Sequence, residues 1–223
     1  MSKAMSAIEN ILSLDTATGD TCACLLAGGR TYPALLAGDQ RMRSTGIVPM
    51  LIDLLHQAGL TWSDLKLLAF SHGPGSFTGL RIGAATLAGI NSGLHLPVLH
   101  LSALAVTARQ TVSGDPLWVL EDARAGEAFV GCYQQGKPLL PERCMQWQDI
   151  VAELTPGNFV CHAEPPVELP GWHRIPLAIS RAEALGLQVL AAELVEDASS
   201  SLPRYPKPDY MQLSQAERSA HAG

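Results

Sequence analysis

Charged and aromatic residues are both scarce in this sequence of 223 residues. Asp, Glu, Lys and Arg together make up 16% and aromatic residues 5%, whereas hydrophobic residues make up 47%. A chain with this composition can bury a core, which excludes an intrinsically disordered protein. No apolar run reaches the roughly 18 residues that a membrane helix needs, because polar residues and Pro97 interrupt the longest candidate. The first residues lack the apolar core of a signal peptide, so we expect a cytoplasmic protein.

Paired cysteines are also missing. None of the five cysteines belongs to a C-x-x-C pair; they are Cys22, Cys24, Cys132, Cys144 and Cys161. An odd number without paired spacing predicts small reduced core residues and argues against both a disulfide framework and a zinc site.

Basic residues are also few relative to acidic ones. The 15 Lys and Arg residues are scattered and are outnumbered by 21 Asp and Glu residues, which gives a net charge of −6. Because phosphate neutralisation by basic side chains supplies most nucleic-acid affinity, autonomous RNA binding is not expected. We therefore expect any role in RNA metabolism to be exercised through a partner.

Strands and helices are predicted in a pattern that occurs twice. The first round comprises strands near 8–14, 21–27 and 30–36, a helix from about 44 to 59, a strand at 67–70, a helix at 76–94, a strand at 97–101 and a helix at 102–109. The second round comprises strands at 117–121 and 128–133, a third near Pro138, a helix at 149–154, a strand at 159–162 and a final helix at 181–196.

This repetition predicts an α/β protein of two lobes, each a mixed sheet flanked by helices, with a degenerate second lobe. The expected boundaries are 1–106 for the first lobe, 107–200 for the smaller second lobe and 201–223 for a tail. The tail is Pro-rich at its start, so we expect it to cross the body in extended form and then to fray.

The most informative segment is the Gly-rich turn GPGSFTGLRIG, which begins at Gly73. Gly73 and Gly75 permit positive φ, and Ser76 can cap the helix that follows. A Gly-rich turn before a helix N-terminus is a candidate anion site. However, no Lys follows Gly79 as a P-loop requires, and the third glycine comes one residue too late for a dinucleotide fingerprint. A turn that only lets the helix start close to the sheet therefore remains an equal alternative.

The helix after this turn is unusually rich in small residues, including Gly79, Gly83 and Thr86. Each helical Gly costs about 1 kcal/mol relative to Ala, and close packing can offset that cost. The residues Gly79, Gly83, Thr86 and Ile90 lie on one face, and the preceding helix could add Met50 and Leu54. Two interpretations stay open: this face is buried in the core of the chain, or it docks a helix of a partner. The predicted partner interface is Met50, Leu54, Ser76, Phe77, Gly79, Gly83, Thr86 and Ile90.

The opening LSLDTAT, the segment GPGSFTGLRIG and the later DARAGEAFV together resemble the TsaB (YeaZ) family. The resemblance extends from residue 8 to about 210 and is strongest in the first half. It implies two actin-like (ASKHA) lobes and a subunit that pairs with the catalytic paralogue TsaD. It further implies that the ATPase TsaE joins the pair and that TsaC supplies threonylcarbamoyl-adenylate. The implied role is that of a scaffold required for threonylcarbamoyl transfer to the tRNA adenosine next to the anticodon (t6A).

The resemblance also bears on catalysis. The paralogue carries a His-x-x-x-His metal pair after the strand that matches 97–101, whereas this chain has Ser102 to Thr107 there without a histidine. We therefore expect no metal site, no intrinsic cofactor and a pseudo-enzyme. Asp15 is the carboxylate placed where an actin-like fold contacts a phosphate or metal, so Asp15, Gly73 and Gly75 are the candidate nucleotide contacts. ATP or ADP at the junction with TsaD stays open, as does a homodimer when the chain is alone.

Two other functional classes remain alternatives. The first is an ATP-dependent small-molecule kinase that retains the cleft of the superfamily, although its phosphate loops are not evident. The second is a metalloprotease-like enzyme, although the sequence shows no metal-ligand set.

Overall fold

The computed structural model describes residues 9–36, 40–112, 116–192 and 201–212. Ten strands and five helices are found in these ranges, with one 3₁₀ turn at Trp62–Asp64. The strands are β1 Ile11–Asp15, β2 Thr21–Ala27, β3 Arg30–Leu36, β4 Leu67–Gly73, β5 Val98–Ser102, β6 Leu117–Arg124, β7 Glu127–Gln134, β8 Lys137–Gln146, β9 Asn158–Val160 and β10 His173–Arg174. The helices are α1 Gln40–Gln57, α2 Phe77–Leu94, α3 Ala103–Arg109, α4 Trp147–Glu153 and α5 Arg181–Ala191.

The strands form two five-stranded sheets of the same topology. The first sheet has the order β3-β2-β1-β4-β5, and the second, taken from its opposite edge, has the order β8-β7-β6-β9-β10. In each sheet the first three strands are an antiparallel meander, and the last two run parallel to the strand beside them. This repeat confirms the predicted α/β fold of two similar mixed-sheet lobes.

Local sequence signals explain where several elements begin and turn. Gly28 and Gly29 have φ of 54° and 72°, which gives the tight β2–β3 turn that the sequence predicts. The Ser76 hydroxyl accepts from the Gly79 N–H at 3.2 Å, and it caps α2 as expected. The Ser102 hydroxyl similarly accepts from two N–H groups at the start of α3.

Helices cover both faces of the first sheet. On one face α1 and α2 pack against a core that includes Leu12, Leu14 and Phe70. On the other face α5 packs against β1, β2 and β3, with Leu185 and Val189 beside Cys24. The sequence analysis placed this last helix in the second lobe, but its apolar face completes the core of the first lobe instead. Residues 193–196 of the predicted helix lie outside the described ranges.

The second sheet has a core on each side. α3 contributes Leu104, Ala105 and Ala108 to one of them, and α4 contributes Trp147 and Ile150 to the other. Because Val106 of α3 belongs to the core under α5, this short helix packs against both sheets. In the described ranges, no helix is both long and apolar enough to cross a bilayer.

Candidate functional site

A cleft of about 750 Å³ opens between the two sheets. Its walls come from the β1–β2 turn, the Gly-rich turn with the start of α2, the helix α3, the β6–β7 region and the segment that ends at Gln212. Both strand-to-strand turns that face the cleft follow the first strand of a meander, so the repeated topology itself creates the cleft.

Asp15 is the last residue of β1, directly before Thr16 and Ala17 of the cleft wall, and is fully buried. Its Oδ2 accepts from Arg181 Nη2 at 2.7 Å and from Arg181 Nε at 3.0 Å, and its Oδ1 accepts from the Ala17 N–H at 2.8 Å. Arg181 is only 5% exposed and also donates to Thr107 Oγ1 and to the Ala103 carbonyl. Both carboxylate oxygens therefore already have partners within the chain.

The Gly-rich turn packs tightly on the β1–β2 turn. A Cβ at Gly75 would lie 2.2 Å from the Ala17 carbonyl oxygen, and one at Gly79 would lie 2.1 Å from the Thr16 carbonyl oxygen. The Ser76 N–H donates to Ala17 at 2.7 Å. Close backbone approach is thus the reason for these two glycines.

Of the two glycines that permit positive φ, Gly73 uses it. Gly73 has φ of 129°, and a Cβ there would lie 2.6 Å from the Asp209 carbonyl oxygen. Gly75 is not among the residues with positive φ, and contact with Ala17 rather than backbone conformation excludes a side chain there. The predicted nucleotide contacts at Asp15, Gly73 and Gly75 remain predictions.

The charged side chains that line the cleft are mostly acidic. Glu121 Oε1 lies 2.6 Å from His162 Nδ1, and the two side chains are 13% and 30% exposed. Asp122 accepts from the Arg124 N–H in the tight β6–β7 turn, where Arg124 has φ of 64°. The cleft thus carries two carboxylates and one guanidinium, and one of the carboxylates is paired with His162. The described residues hold no group of three His, Cys, Asp or Glu side chains placed to bind a metal ion.

The structure divides the predicted partner interface. Met50 and Leu54 are 9% and 1% exposed in the core under α1, so they cannot present a docking surface. Gly83 is buried too, since a Cβ there would lie 2.3 Å from Thr16 Oγ1 and 3.0 Å from Phe70. For these three residues the docking interpretation is wrong, and packing within the chain accounts for them.

The remaining interface residues are half-buried or exposed. They are Ser76, Phe77, Gly79, Thr86 and Ile90. Gly79 contacts the β1–β2 turn, and the Thr86 hydroxyl donates to the Ile82 carbonyl at 2.8 Å. Docking at these positions stays a prediction.

The outer face of α2 presents small residues that the sequence analysis did not assign to the interface. Ala85, Gly89, Ser92 and Gly93 are exposed. A Cβ at Gly89 or Gly93 would meet nothing within 4 Å. These glycines therefore have no packing role inside the chain, unlike Gly83. The spacing of four between 85, 89 and 93 signals this face in the sequence, but the buried face shows the same spacing.

Two further groupings were not predicted. Arg181 meets Asp15 across 166 residues, and no local pattern identifies such a pair. The rings of His72 and His100, on the neighbouring strands β4 and β5, have centroids 5.4 Å apart. These rings are brought together by the pairing of β4 with β5, which cannot be read from the sequence.

Comparison with known proteins identifies the family. The family model described as TsaD, tRNA N6-adenosine threonylcarbamoyltransferase, matches residues 39–163, which is more than half of the chain. The chain belongs to this family. Curated TsaB proteins are among its relatives and a solved YeaZ structure is among its structural neighbours, which confirms the resemblance seen in the sequence.

The TsaB proteins of Haemophilus influenzae and Escherichia coli are each 34% identical to the chain, over 149 and 128 residues. These matches cover 64% and 56% of this chain, and the chain spans 62% and 55% of the length of those two relatives. Among solved structures, YeaZ from Pseudomonas aeruginosa is 25% identical with a TM-score of 0.72. That alignment covers 91% of this chain and 99% of YeaZ. A second structure from the same organism, described as similar to peptidase YeaZ, is 26% identical with a TM-score of 0.68 over 92% of this chain and all of the other.

Proposed function

We propose that the chain is a non-catalytic subunit required for t6A biosynthesis, which binds the catalytic paralogue TsaD and supports its active site. Support for the pathway comes from the TsaB relatives, whose names state a role in tRNA threonylcarbamoyladenosine biosynthesis. The pairing with TsaD is the role that the family resemblance implies.

The observation that carries the non-catalytic assignment is the buried pair of Asp15 and Arg181. An actin-like enzyme needs the carboxylate at this position to reach a phosphate or its metal ion. In this chain Arg181 fixes Oδ2 through two bonds, and Ala17 holds Oδ1. Freeing the carboxylate would leave a buried guanidinium without its counter-ion, which costs several kcal/mol. The position therefore serves the attachment of α5 to the first sheet.

The outer face of α2 is the surface that we propose for TsaD. Small exposed residues let a second helix approach closely, and Gly89 and Gly93 have open space above them. Ser76 is exposed and Phe77 is half-buried where this helix begins beside the cleft. Burial of this face by a partner would offset the cost of the two helical glycines that it carries, Gly89 and Gly93.

The other partners follow from the same proposal. TsaE joins the pair as its ATPase, and tRNA is contacted only through the complex, since the net charge of the chain is −6. A nucleotide, ATP or ADP, would sit at the junction with TsaD rather than in this chain alone. In the absence of TsaD, the same face of α2 allows a homodimer.

Reconstitution tests the proposal. TsaC, TsaD and TsaE from the source organism would be combined with tRNA and with or without this chain, and t6A would be measured by mass spectrometry of digested tRNA. We expect t6A only when the chain is present, a 1:1 complex with TsaD in native mass spectrometry, and no ATP turnover by the chain alone. Equal t6A formation without the chain would refute the scaffold role. ATP turnover by the isolated chain with a small-molecule acceptor would support the kinase alternative instead.

A further inference from the structure

Residues 203–212, here called the C-terminal strap, cross the edge of the first sheet and reach the cleft. The Pro203 carbonyl accepts from the Val98 N–H at 2.7 Å, and the Arg204 carbonyl accepts from Asn91 Nδ2 at 2.6 Å. Further along, the Asp209 N–H donates to the His72 carbonyl at 2.7 Å. The strap is therefore attached to the first lobe through backbone bonds at several points.

The far end of the strap forms part of the cleft wall. Tyr210, Met211 and Gln212 line the cleft. Tyr210 stacks on Phe77 with ring centroids 4.8 Å apart, and the Arg81 guanidinium lies 3.9 Å from the centre of the Phe77 ring. Met211 packs on the core of the second sheet, so the strap spans both lobes.

One attachment requires a neutral histidine. The Lys207 N–H donates to Nε2 of His100 at 3.1 Å. A backbone N–H can only donate, so Nε2 must be without a proton in this arrangement. An imidazolium carries N–H groups on both ring nitrogens, and protonation of His100 therefore replaces the bond with two opposed donors.

A second imidazole adjoins the first. The His72 ring lies 5.4 Å from the His100 ring, and both side chains are half-buried. Protonation of both would place two like charges in contact within a partly desolvated site. Lys207 of the strap adds a third positive charge near His100.

Acidic groups also face the two histidines, and they offset the repulsion between the positive charges only in part. Asp209 of the strap and Glu142 of β8 both act on His72 and favour its charged form. Glu142, however, also accepts bonds from the Tyr133 and Ser102 hydroxyls, which spread its charge. Burial lowers the pKa of His72 below its ordinary value despite these carboxylates. Burial and the His72 ring likewise lower the pKa of His100, against a hydrogen bond to the backbone of Tyr205 in the strap that favours the protonated ring.

We propose that His72 and His100 form a pH-sensitive clasp that holds the strap across the cleft at neutral pH and releases it when the two imidazoles take up protons. The direction of the pH dependence follows from the linkage between proton binding and strap attachment. A histidine whose pKa is lower in the attached state binds protons preferentially in the released state, so attachment is strongest above the ordinary pKa of about 6.5 and weakens as pH falls below it. Release removes Tyr210 to Gln212 from the cleft wall and enlarges access to the cleft.

Chymotrypsin reports the release, because the protease binds its substrate as an extended segment, whereas in the attached strap the Asp209 N–H is bonded to His72 and the Tyr210 ring, 41% exposed, packs on Phe77. The full-length protein would be digested at pH 7.5 and pH 6.0, and the fragment that starts at Met211 would be quantified by mass spectrometry. A synthetic peptide of residues 203–216 corrects for the pH dependence of the protease itself. When the pH is lowered from 7.5 to 6.0, we expect the corrected rate to rise about fourfold for each histidine that takes up a proton on release. This holds when the cleavage rate is proportional to the fraction of molecules with a released strap.

Matched variants separate the clasp from a general loosening. H100Q keeps an acceptor for the Lys207 N–H but cannot titrate, and H72Q/H100Q removes both titrating groups. We expect the double variant to show a pH-independent corrected rate, and H100F, which lacks the acceptor, to be cleaved rapidly at both pH values. Circular dichroism at both pH values shows that each variant is folded.

A second measurement is independent of protease access. In the wild type, the Lys207 amide resonance should titrate with the same midpoint as the His100 ring resonances in two-dimensional NMR. The proposal is overturned if the corrected cleavage rate of the folded wild type does not change with pH. It is equally overturned if H72Q/H100Q shows the same rise as the wild type, or if the His100 ring titrates while the Lys207 amide does not.

Discussion

Arg181 Nη2 and Asp15 Oδ2 lie 2.7 Å apart in a site where both side chains are almost completely buried. The pair joins the first residue of α5 to the last residue of β1, and Thr107 and the Ala103 carbonyl take the other donors of the guanidinium. A buried charge pair of this kind is stabilising only while both members are present.

Replacing Arg181 with Met should therefore destabilise the fold strongly. The Asp15 carboxylate would remain buried without its counter-ion, and we expect a loss of about 3–5 kcal/mol in the free energy of unfolding. Urea denaturation followed by tryptophan fluorescence measures it. The matched control is Glu164→Gln, because that carboxylate is 82% exposed and its ion pair with Arg174 should contribute less than about 1 kcal/mol. Equal losses in the two variants would contradict the structural role given to Arg181.

Gly83→Leu should also destabilise the monomer itself. The new side chain would meet Thr16 Oγ1 and Phe70 inside the core, and overpacking of this kind costs about 1–3 kcal/mol or more. A lower melting temperature in differential scanning calorimetry checks this expectation. If the variant melted like the wild type, Gly83 would not face the sheet as described.

Gly89→Leu provides the complementary test on the outer face of α2. A Cβ at Gly89 meets nothing within 4 Å, and the removal of a helical glycine should leave the melting temperature unchanged or raise it, with a gain of up to about 1 kcal/mol. If TsaD docks on this face, the larger side chain should weaken pairing by roughly one to two powers of ten. Isothermal titration calorimetry with TsaD measures the change. Undiminished pairing would place the interface on another surface.

The cysteine thiols should differ in reactivity. Burial raises the pKa of Cys24 and of Cys161 to about 11, and it also raises the pKa of Cys22 well above its usual range. At pH 8 a thiol with a pKa of 11 is about 0.1% thiolate, roughly two hundredfold less than an ordinary cysteine. Labelling with iodoacetamide and peptide mapping should find the half-exposed Cys144 modified first, and all five thiols modified alike in urea. Early modification of Cys24 in the folded protein would show that its site opens readily.

Binding of tRNA by the chain alone should be weak. With a net charge of −6, the chain gains little from counterion release on phosphate contact. Fluorescence anisotropy with labelled tRNA at physiological salt should show no submicromolar binding by the chain alone. Tight binding should be seen only after TsaD is added. A tight, salt-dependent interaction of the isolated chain would contradict this expectation.

The sequence predicts the fold well because the fold depends on local signals that repeat. Apolar strands, the Gly28–Gly29 turn and the Ser76 cap each specify their own element, and the second meander copies the first. The placement of α5 was missed because an amphipathic helix shows that one face is buried but not which sheet buries it. Its Leu185 and Val189 would suit either core.

The site was harder to predict for the same physical reason. The small residues of α2 repeat at a spacing of four on two faces, and only the structure shows that Gly83 meets Thr16 while Gly89 meets nothing. The two long-range pairs, Asp15 with Arg181 and His72 with His100, depend on how distant elements come together. Motif spacing carries no information about either of them.

The position of α5 has a consequence for how the chain acquires its structure. The ribosome delivers β1 to β5 first, but the layer that covers one face of their sheet begins only at Arg181, after all ten strands have been made. Until then Cys22, Cys24 and Leu26 on that face lack the cover of α5 and offer an aggregation-prone surface. Closure of this face joins residues more than 150 positions apart, and contacts of such long sequence separation form slowly. The first lobe thus cannot bury this face until α5 has left the ribosome.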